Sequence, residues 1–201
     1  MSETSLLPRF PEQGLRGDSI VVRVWDPAAD GPGRLRLFRD PDSDRWAAPV
    51  FVPRPIDLAA VQGRLERELE SALAGRPSSY AVVARDDGRL LGDIGVRLPD
   101  GPMAIADVGY STLPEARGRG VARTALRLLS DWLLDPAGPA LARVQLDHVV
   151  ENVASCRVAA GAGFEQEGIR RGYLPVLGDD VDHWFRHDVC LHGRAAGLST
   201  G

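Results

Sequence analysis

Two glycines interleaved with arginines, Arg117-Gly118-Arg119-Gly120, followed by Val121 and Ala122, form the stretch of this chain best suited to holding an anion. Upstream, Val108 to Thr112 reads as the end of a strand. Downstream, Ala122, Ala125, Leu126, Leu129, Trp132 and Leu133 recur at helical spacing. A glycine turn feeding a helix aims unpaired backbone N–H groups, and the positive end of the helix dipole, at whatever lies before it; a phosphate suits that position. Gly118 and Gly120 allow the dihedrals that turn successive amides inward, and Arg117 and Arg119 add charge at the rim. No Lys-Ser or Lys-Thr follows, as a P-loop requires, and the third glycine of a dinucleotide fingerprint is absent.

A second block lies downstream. A strand-like Arg143 to Val149 leads into Asn152, Val153, Ala154, Ser155 and Cys156, and the segment closes on Gly163-Phe164. Taken together and in this order, Arg117-x-x-Gly120-x-Ala122 and Asn152-x-x-Ser155 with Gly163-Phe164 resemble the GCN5-related N-acetyltransferase (GNAT) superfamily, in particular its branch that acetylates ribosomal-protein N-termini (RimJ/RimL-like). The resemblance covers about Ser79 to Leu191.

The resemblance implies an α/β (α+β) fold whose sheet is splayed at its centre, between the strand ending near Thr112 and the strand ending near Val149, with acetyl-CoA as cosubstrate in the gap. Backbone groups of Ser111, Thr112 and Leu113 would hold the pantetheine arm, and amides of Gly118 to Ala122 the diphosphate. Asn152 stands at a helix start, where it serves as a plain N-cap or also touches the cofactor arm. Ser155 either protonates the departing thiolate, as the resemblance implies, or is a helix-start serine bonded to backbone. The activity implied is acetyl transfer to a primary amine by direct attack in a ternary complex; the alternative is a non-catalytic acyl-CoA-binding module of the same fold.

The acceptor must lose a proton before it attacks. An α-amine with a pKa of about 7.7–8.0 requires about 1 kcal/mol at neutral pH, whereas a lysine-type amine near 10.4 requires roughly 4–5 kcal/mol. Some relatives place a glutamate after the Gly-Phe pair, but here Arg170, Arg171, Gly172, Tyr173 and Leu174 supply no carboxylate. Candidate bases are His148, then Asp147, Glu151 and Glu167, or a water chain; His148 also closes the apolar face Val144, Leu146, and its favoured reading is a hydrogen-bonded core residue. Arg171 and Tyr173 are candidates for the acceptor mouth. Segments 39–55 and 174–182 are expected to wall the acceptor side, where Asp40, Asp42, Asp44, Asp179, Asp180 and Asp182 either suit a cationic amine or are simply solvated. His183 and His187 share a strand face without a third ligand, so no metal is expected.

The elements that position these residues can be read in order. Residues 1–17 read as a poorly ordered lead-in, 18–192 as one domain and 193–201 as a tail. Ile20 to Trp25 is a strand, Pro27 to Phe38 a short irregular helical piece because Gly31, Pro32 and Gly33 interrupt it, and Arg39 to Pro55 a long loop. Asp57 caps a helix carrying Leu58, Val61, Leu65, Leu69 and Leu73 on one face. Strands Tyr80 to Ala84, Leu90 to Leu98 and Ala104 to Thr112 follow, then the glycine turn and its helix, strand Leu141 to Val150, helix Asn152 to Gly161, and strands Phe164 to Tyr173 and Val181 to Leu191. The sum is a mixed, mostly antiparallel seven-stranded sheet flanked by about four helices.

Composition agrees with an ordinary globule: 201 residues, 44% hydrophobic, 26% charged, net charge −4. Neither a nucleic-acid surface nor a membrane partner is expected. All 24 basic residues are arginine, so only the chain's own N-terminus could be self-acetylated. Two cysteines without close spacing and the absence of a signal peptide point to the cytoplasm. The partner expected is an amine acceptor, a peptide N-terminus or a small molecule, and the sequence is compatible with a homodimer.

Overall fold

The computed structural model describes residues 7–46, 56–100, 103–177 and 184–197. Its sheet has eight strands: β1 (Leu15–Arg16), β2 (Ile20–Arg23), β3 (Ser79–Ala84), β4 (Leu90–Asp100), β5 (Ile105–Thr112), β6 (Arg143–Val149), β7 (Glu165–Leu177) and β8 (Trp184–Ala195). Their order across the sheet is β1-β2-β3-β4-β5-β6-β8-β7. Every neighbouring pair is antiparallel except β5 and β6, which are parallel. That pair is joined by the crossover helix α4 (Val121–Leu134), as parallel strands require.

Each sheet face is covered. On one side α4 buries Leu126, Leu129 and Leu133 completely against Ile94, Val144 and Leu146, at roughly 1.5–3 kcal/mol per side chain. The second helix on that side, α5 (Val153–Gly161), adds Ala159 to the same core. On the other side, helices α1 (Pro27–Phe38) and α3 (Leu58–Leu73) close Trp25, Leu37, Val61 and Leu65 over Ala81, Val83 and Leu113. Asp57 caps α3 through Ala60 N at 2.8 Å, as expected.

Several boundaries differ from the sequence reading. The stretch expected to be a short irregular piece is a full helix of 12 residues, α1, with Pro32 inside it. Asp26 accepts from Ala28 N and Ala29 N, Pro27 preorganises the first turn, and tertiary packing supplies the rest. A Cβ on Gly31 or Gly33 would come within 2.9 Å of Gln62 or 2.7 Å of Leu90, so these glycines admit α3 and β4 at close range rather than break the helix. Part of the expected loop is helix α2 (Pro41–Trp46); residues 47–55 lie outside the described residues. The expected lead-in contributes Leu7 and Phe10 to the core, with Phe10 stacked on Tyr80 at 4.0 Å, and β1 to the sheet edge, which makes eight strands where seven were expected. The expected tail begins inside β8, which runs on to Ala195 because Arg143 and Gly193 still have ladder partners there.

Candidate active site

Strands β5 and β6 pair over three rungs only, Ile105↔Arg143, Ala106↔Val144 and Asp107↔Gln145, and Gln145 Nε2 donates to Asp107 Oδ1 at 2.8 Å on the last of them. Beyond that rung β5 continues along β4 to Thr112, and β6 continues along β8 to Val149. The sheet therefore opens at its centre, and the opening has one backbone edge from each side. On the β5 edge, Ser111 N donates to Asp93 Oδ1 at 2.9 Å and Leu113 N to Leu91 O at 2.8 Å. Both of these residues thus spend their N–H groups on β4 or its side chain, not on the gap. Strand alternation turns the N–H groups of Tyr110 and Thr112 toward the opening instead, and Thr112 O accepts from Arg117 Nε at 3.1 Å.

Asp93 is itself anchored. It forms a buried ion pair with Arg34 of α1, whose guanidinium lies 4.6 Å from the Phe38 ring and 5.5 Å from the Trp25 ring. Burial lowers the Arg34 pKa to about 10, so Arg34 is still charged at neutral pH. One buried carboxylate thereby links α1, β4 and the edge of the opening.

At the end of β5 the chain makes a short 3-10 turn, Pro114–Ala116, and enters the glycine turn. Gly118 and Gly120 have φ of +72° and +77°, a region that side chains rarely adopt. Gly120 is the N-cap of α4 and no side chain caps that end. Among the described residues, the N–H groups of Gly118, Arg119, Gly120, Val121 and Ala122 find no well-aligned acceptor. A Cβ on Gly118 would meet nothing within 4 Å, so the concavity is open.

The arginines of the turn differ in their engagements. Arg117 bonds Asp42 at 2.7 Å, Asp40 and the Thr112 carbonyl, which fastens α2 to the turn and uses its guanidinium on protein acids. Asp40 and Asp42 are thus paired on this side rather than free for a cationic acceptor; the side chain of Asp44, together with Asp179, Asp180, Asp182 and His183, lies outside the described residues. Arg119 is exposed at the rim. Arg123, one turn into α4, packs along Gly161 of α5, where a Cβ would come within 2.7 Å of its Cδ, and one guanidinium nitrogen lies 3.4 Å from the Cβ position of Gly120.

Asn152 caps α5 by accepting from Ser155 N at 3.1 Å. The Ser155 hydroxyl is buried and shares a 2.7 Å hydrogen bond with the Tyr110 hydroxyl, which joins α5 to β5 across the opening. Burial pushes the Tyr110 phenol up to about 12, against the lowering by its bond to Ser155. On the opposite sheet face, a cavity of about 790 Å³ between α3 and the strands is lined by Arg64, Arg67, Glu68, Ser79, Arg97 and Gly109.

Residues 20–165 match the family model described as the Acetyltransferase (GNAT) domain. The chain belongs to the GNAT acetyltransferases. It is 28% identical over 173 residues to a probable N-acetyltransferase, YjcK, of Bacillus subtilis, covering 84% of this chain and 93% of that protein. Its fold is similar to that of the ribosomal-protein-S5-alanine acetyltransferase from Vibrio fischeri, with a TM-score of 0.75, 20% identity, and 92% and 98% of the two chains covered. Mycobacterium smegmatis RimJ in complex with CoA-disulfide is similar at a TM-score of 0.73, with 21% identity and 90% and 84% covered. This GNAT chain is an acyltransferase, and acetyl-CoA is the acetyl donor of its family.

Within this GNAT domain the glycine turn, Asn152 and Ser155 converge on the opening, whereas His148 does not. It is 7% exposed, on the α5 side of β6, with Nδ1 2.8 Å from Val149 O and Nε2 3.2 Å from His192 Nε2. The β6 alternation that places His148 inward puts Asp147 on the other face, where burial raises its carboxyl above the usual range against the opposing influence of Arg170. Glu167 is held low by its bonds to Arg143, and exposed Glu151 lies 3.9 Å from His187. Arg170 stacks over Tyr173 at 4.9 Å, and Arg171 stands exposed beside it. The residues that sequence reading missed are Tyr110 and Arg123. Arg123 carried a local signal, its position three residues after the cap glycine; Tyr110 carried none, because its partner is 45 residues away.

Proposed function

We propose that this enzyme transfers the acetyl group of acetyl-CoA directly to a primary amine in a ternary complex, with the cosubstrate in the central opening and the amine entering through the cavity beside α3. The observation that carries this reading is the Tyr110–Ser155 hydroxyl pair bridging an opening whose β5 side leads into the Gly118–Gly120 turn, where no side chain caps α4. In this reading the amides of Gly118 to Ala122 hold the diphosphate, with Arg119 and Arg123 adding charge. The edge amides of Tyr110 and Thr112 bond the pantetheine arm as an added strand would.

The proton path follows from the environments. Tyr110 stays protonated and donates to Ser155 Oγ, which leaves the Ser155 hydrogen for the departing thiolate. A thiol pKa of about 8.5 makes this leaving group undemanding, so the pair contributes about one or two orders of magnitude. Asp147 stands on the acceptor face with a raised pKa and takes the amine proton, directly or through water. An α-amine loses its proton more easily than a lysine amine and so asks less of a carboxylate base, which agrees with the likeness to an enzyme named for a ribosomal-protein alanine. Arg64, Arg67 and Arg97 around one Glu68 suit an acceptor that carries a carboxylate near its amine. Unbridged Cys156 and Cys190 agree with a cytoplasmic setting.

The test is thiol release from acetyl-CoA over peptides with free N-termini, some acidic at the second residue and some basic, against aminoglycosides and polyamines. Turnover highest with the acidic peptides supports the reading. Turnover only with polyamines removes the acceptor assignment, and no amine-dependent release removes the proposed reaction.

A further inference from the structure

Outside the opening, strand register gathers three soft or borderline ligands on one face. His148 of β6 lies directly opposite Cys190 of β8, and His192 follows two residues along β8, opposite Leu146, so alternation puts all three side chains on the α5 side of the sheet. They are 7%, 5% and 1% exposed. His148 Nε2 is 3.2 Å from His192 Nε2, Cys190 Sγ is 3.4 Å from the same nitrogen, and the three donor atoms all lie within 4.8 Å of one another.

Two features go beyond burial. Tetrahedral zinc bonds of about 2.0–2.1 Å to nitrogen and about 2.3 Å to sulfur set ligand–ligand edges of about 3.3 Å for N···N and about 3.6 Å for N···S, close to the His148–His192 and Cys190–His192 separations. In addition, Val149 O can only accept, so the 2.8 Å contact from His148 Nδ1 fixes the proton there and leaves His148 Nε2 a bare lone pair directed at the cluster. A backbone carbonyl holding the far nitrogen is the arrangement that orients histidine ligands in metal sites.

We propose that His148, His192 and the Cys190 thiolate form a three-donor Zn²⁺ site that fastens β6, one edge of the acetyl-CoA opening, to β8. Binding releases the Cys190 proton to solvent, leaves both imidazoles neutral and keeps one coordination position for water. The site is separate from the acetyl-transfer groups, and its role is to stiffen the strand that carries Asp147.

The experiment uses untagged full-length protein, reduced and stripped with a chelator, then titrated with Co²⁺ and Zn²⁺. Co²⁺ is expected to give intense tetrahedral d–d absorption and a near-ultraviolet thiolate charge-transfer band at one ion per chain, both abolished by Zn²⁺. Zn²⁺ is expected to raise the melting temperature of the wild type. Cys190→Ser loses the charge-transfer band, His192→Gln weakens binding by more than about 10-fold, and Cys156→Ser changes neither. Only weak octahedral cobalt absorption in the wild type, as a metal-free hydrogen-bonded trio gives, overturns the proposal whether or not the variants fold. So does a band that survives in Cys190→Ser or disappears in Cys156→Ser.

Discussion

Replacing Gly118 by Asn and, separately, by Asp isolates the charge at the glycine turn from its shape. Both residues tolerate the left-handed φ of +72° better than other side chains, and a Cβ there meets nothing within 4 Å, so the two variants share the same conformational penalty. They differ by one negative charge projected into the open concavity. With the diphosphate seated on the adjacent amides, that carboxylate would lie about 6 Å from roughly two negative charges, a repulsion of about 1–2 kcal/mol after solvent and salt screening. Gly118→Asp is therefore expected to bind acetyl-CoA about 5–30-fold more weakly than Gly118→Asn at 0.15 M salt. Titration calorimetry reads this directly, and the gap should largely close at 1 M salt, where the Debye length falls to about 3 Å. S-acetylpantetheine, which has no diphosphate, should bind both variants alike. Equal acetyl-CoA affinities of the two variants, within twofold at low salt, would refute the assignment of the turn to the diphosphate.

Ser155→Ala and Tyr110→Phe should each lower kcat by about 10–100-fold with little change in the KM for acetyl-CoA, and the double variant should be no worse than the poorer single one, because the two hydroxyls act as a unit. An unchanged kcat in Ser155→Ala would make that serine a structural residue. Asp147 must be ionised to accept the amine proton, so kcat/KM should fall as pH drops through its raised pKa; Asp147→Asn should lose about 10²-fold or more and remove that acid limb of the profile. Arg34→Leu leaves Asp93 buried without its partner and should destabilise the fold by about 3–5 kcal/mol in denaturant titration. Adding Asp93→Asn should restore part of that loss, and failure to do so would mean that the ring packing of Arg34, not its charge, is what matters.

What sequence alone revealed is concentrated where a single element carries the signal. The glycine turn, the α4 stripe and the Asn152 cap are each carried by residues close together in the chain, and each is where the pattern put it. Helix α1 was obscured because Gly31, Pro32 and Gly33 oppose a helix locally, while the local Asp26 cap is joined by a fit against Gln62 and Leu90, far along the chain, that favours it. Tyr110 escaped for the same reason, and so did the partnership of His148 with Cys190 and His192, which only the β6–β8 register creates. Arg117 looked like a phosphate ligand by position, but the acids that occupy it are Asp42 of α2 and Asp40 just before it, and the six residues of α2, rich in aspartate, did not announce a helix.

The three rungs shared by β5 and β6 make a narrow seam between two half-sheets, one built from residues before α4 and the other from residues after it. Any rotation about that seam is levered along the diverging strands, so the mouth widens in proportion to its distance from Asp107 and Gln145. With the coenzyme seated there as proposed, a small tilt of one half against the other would widen its exit.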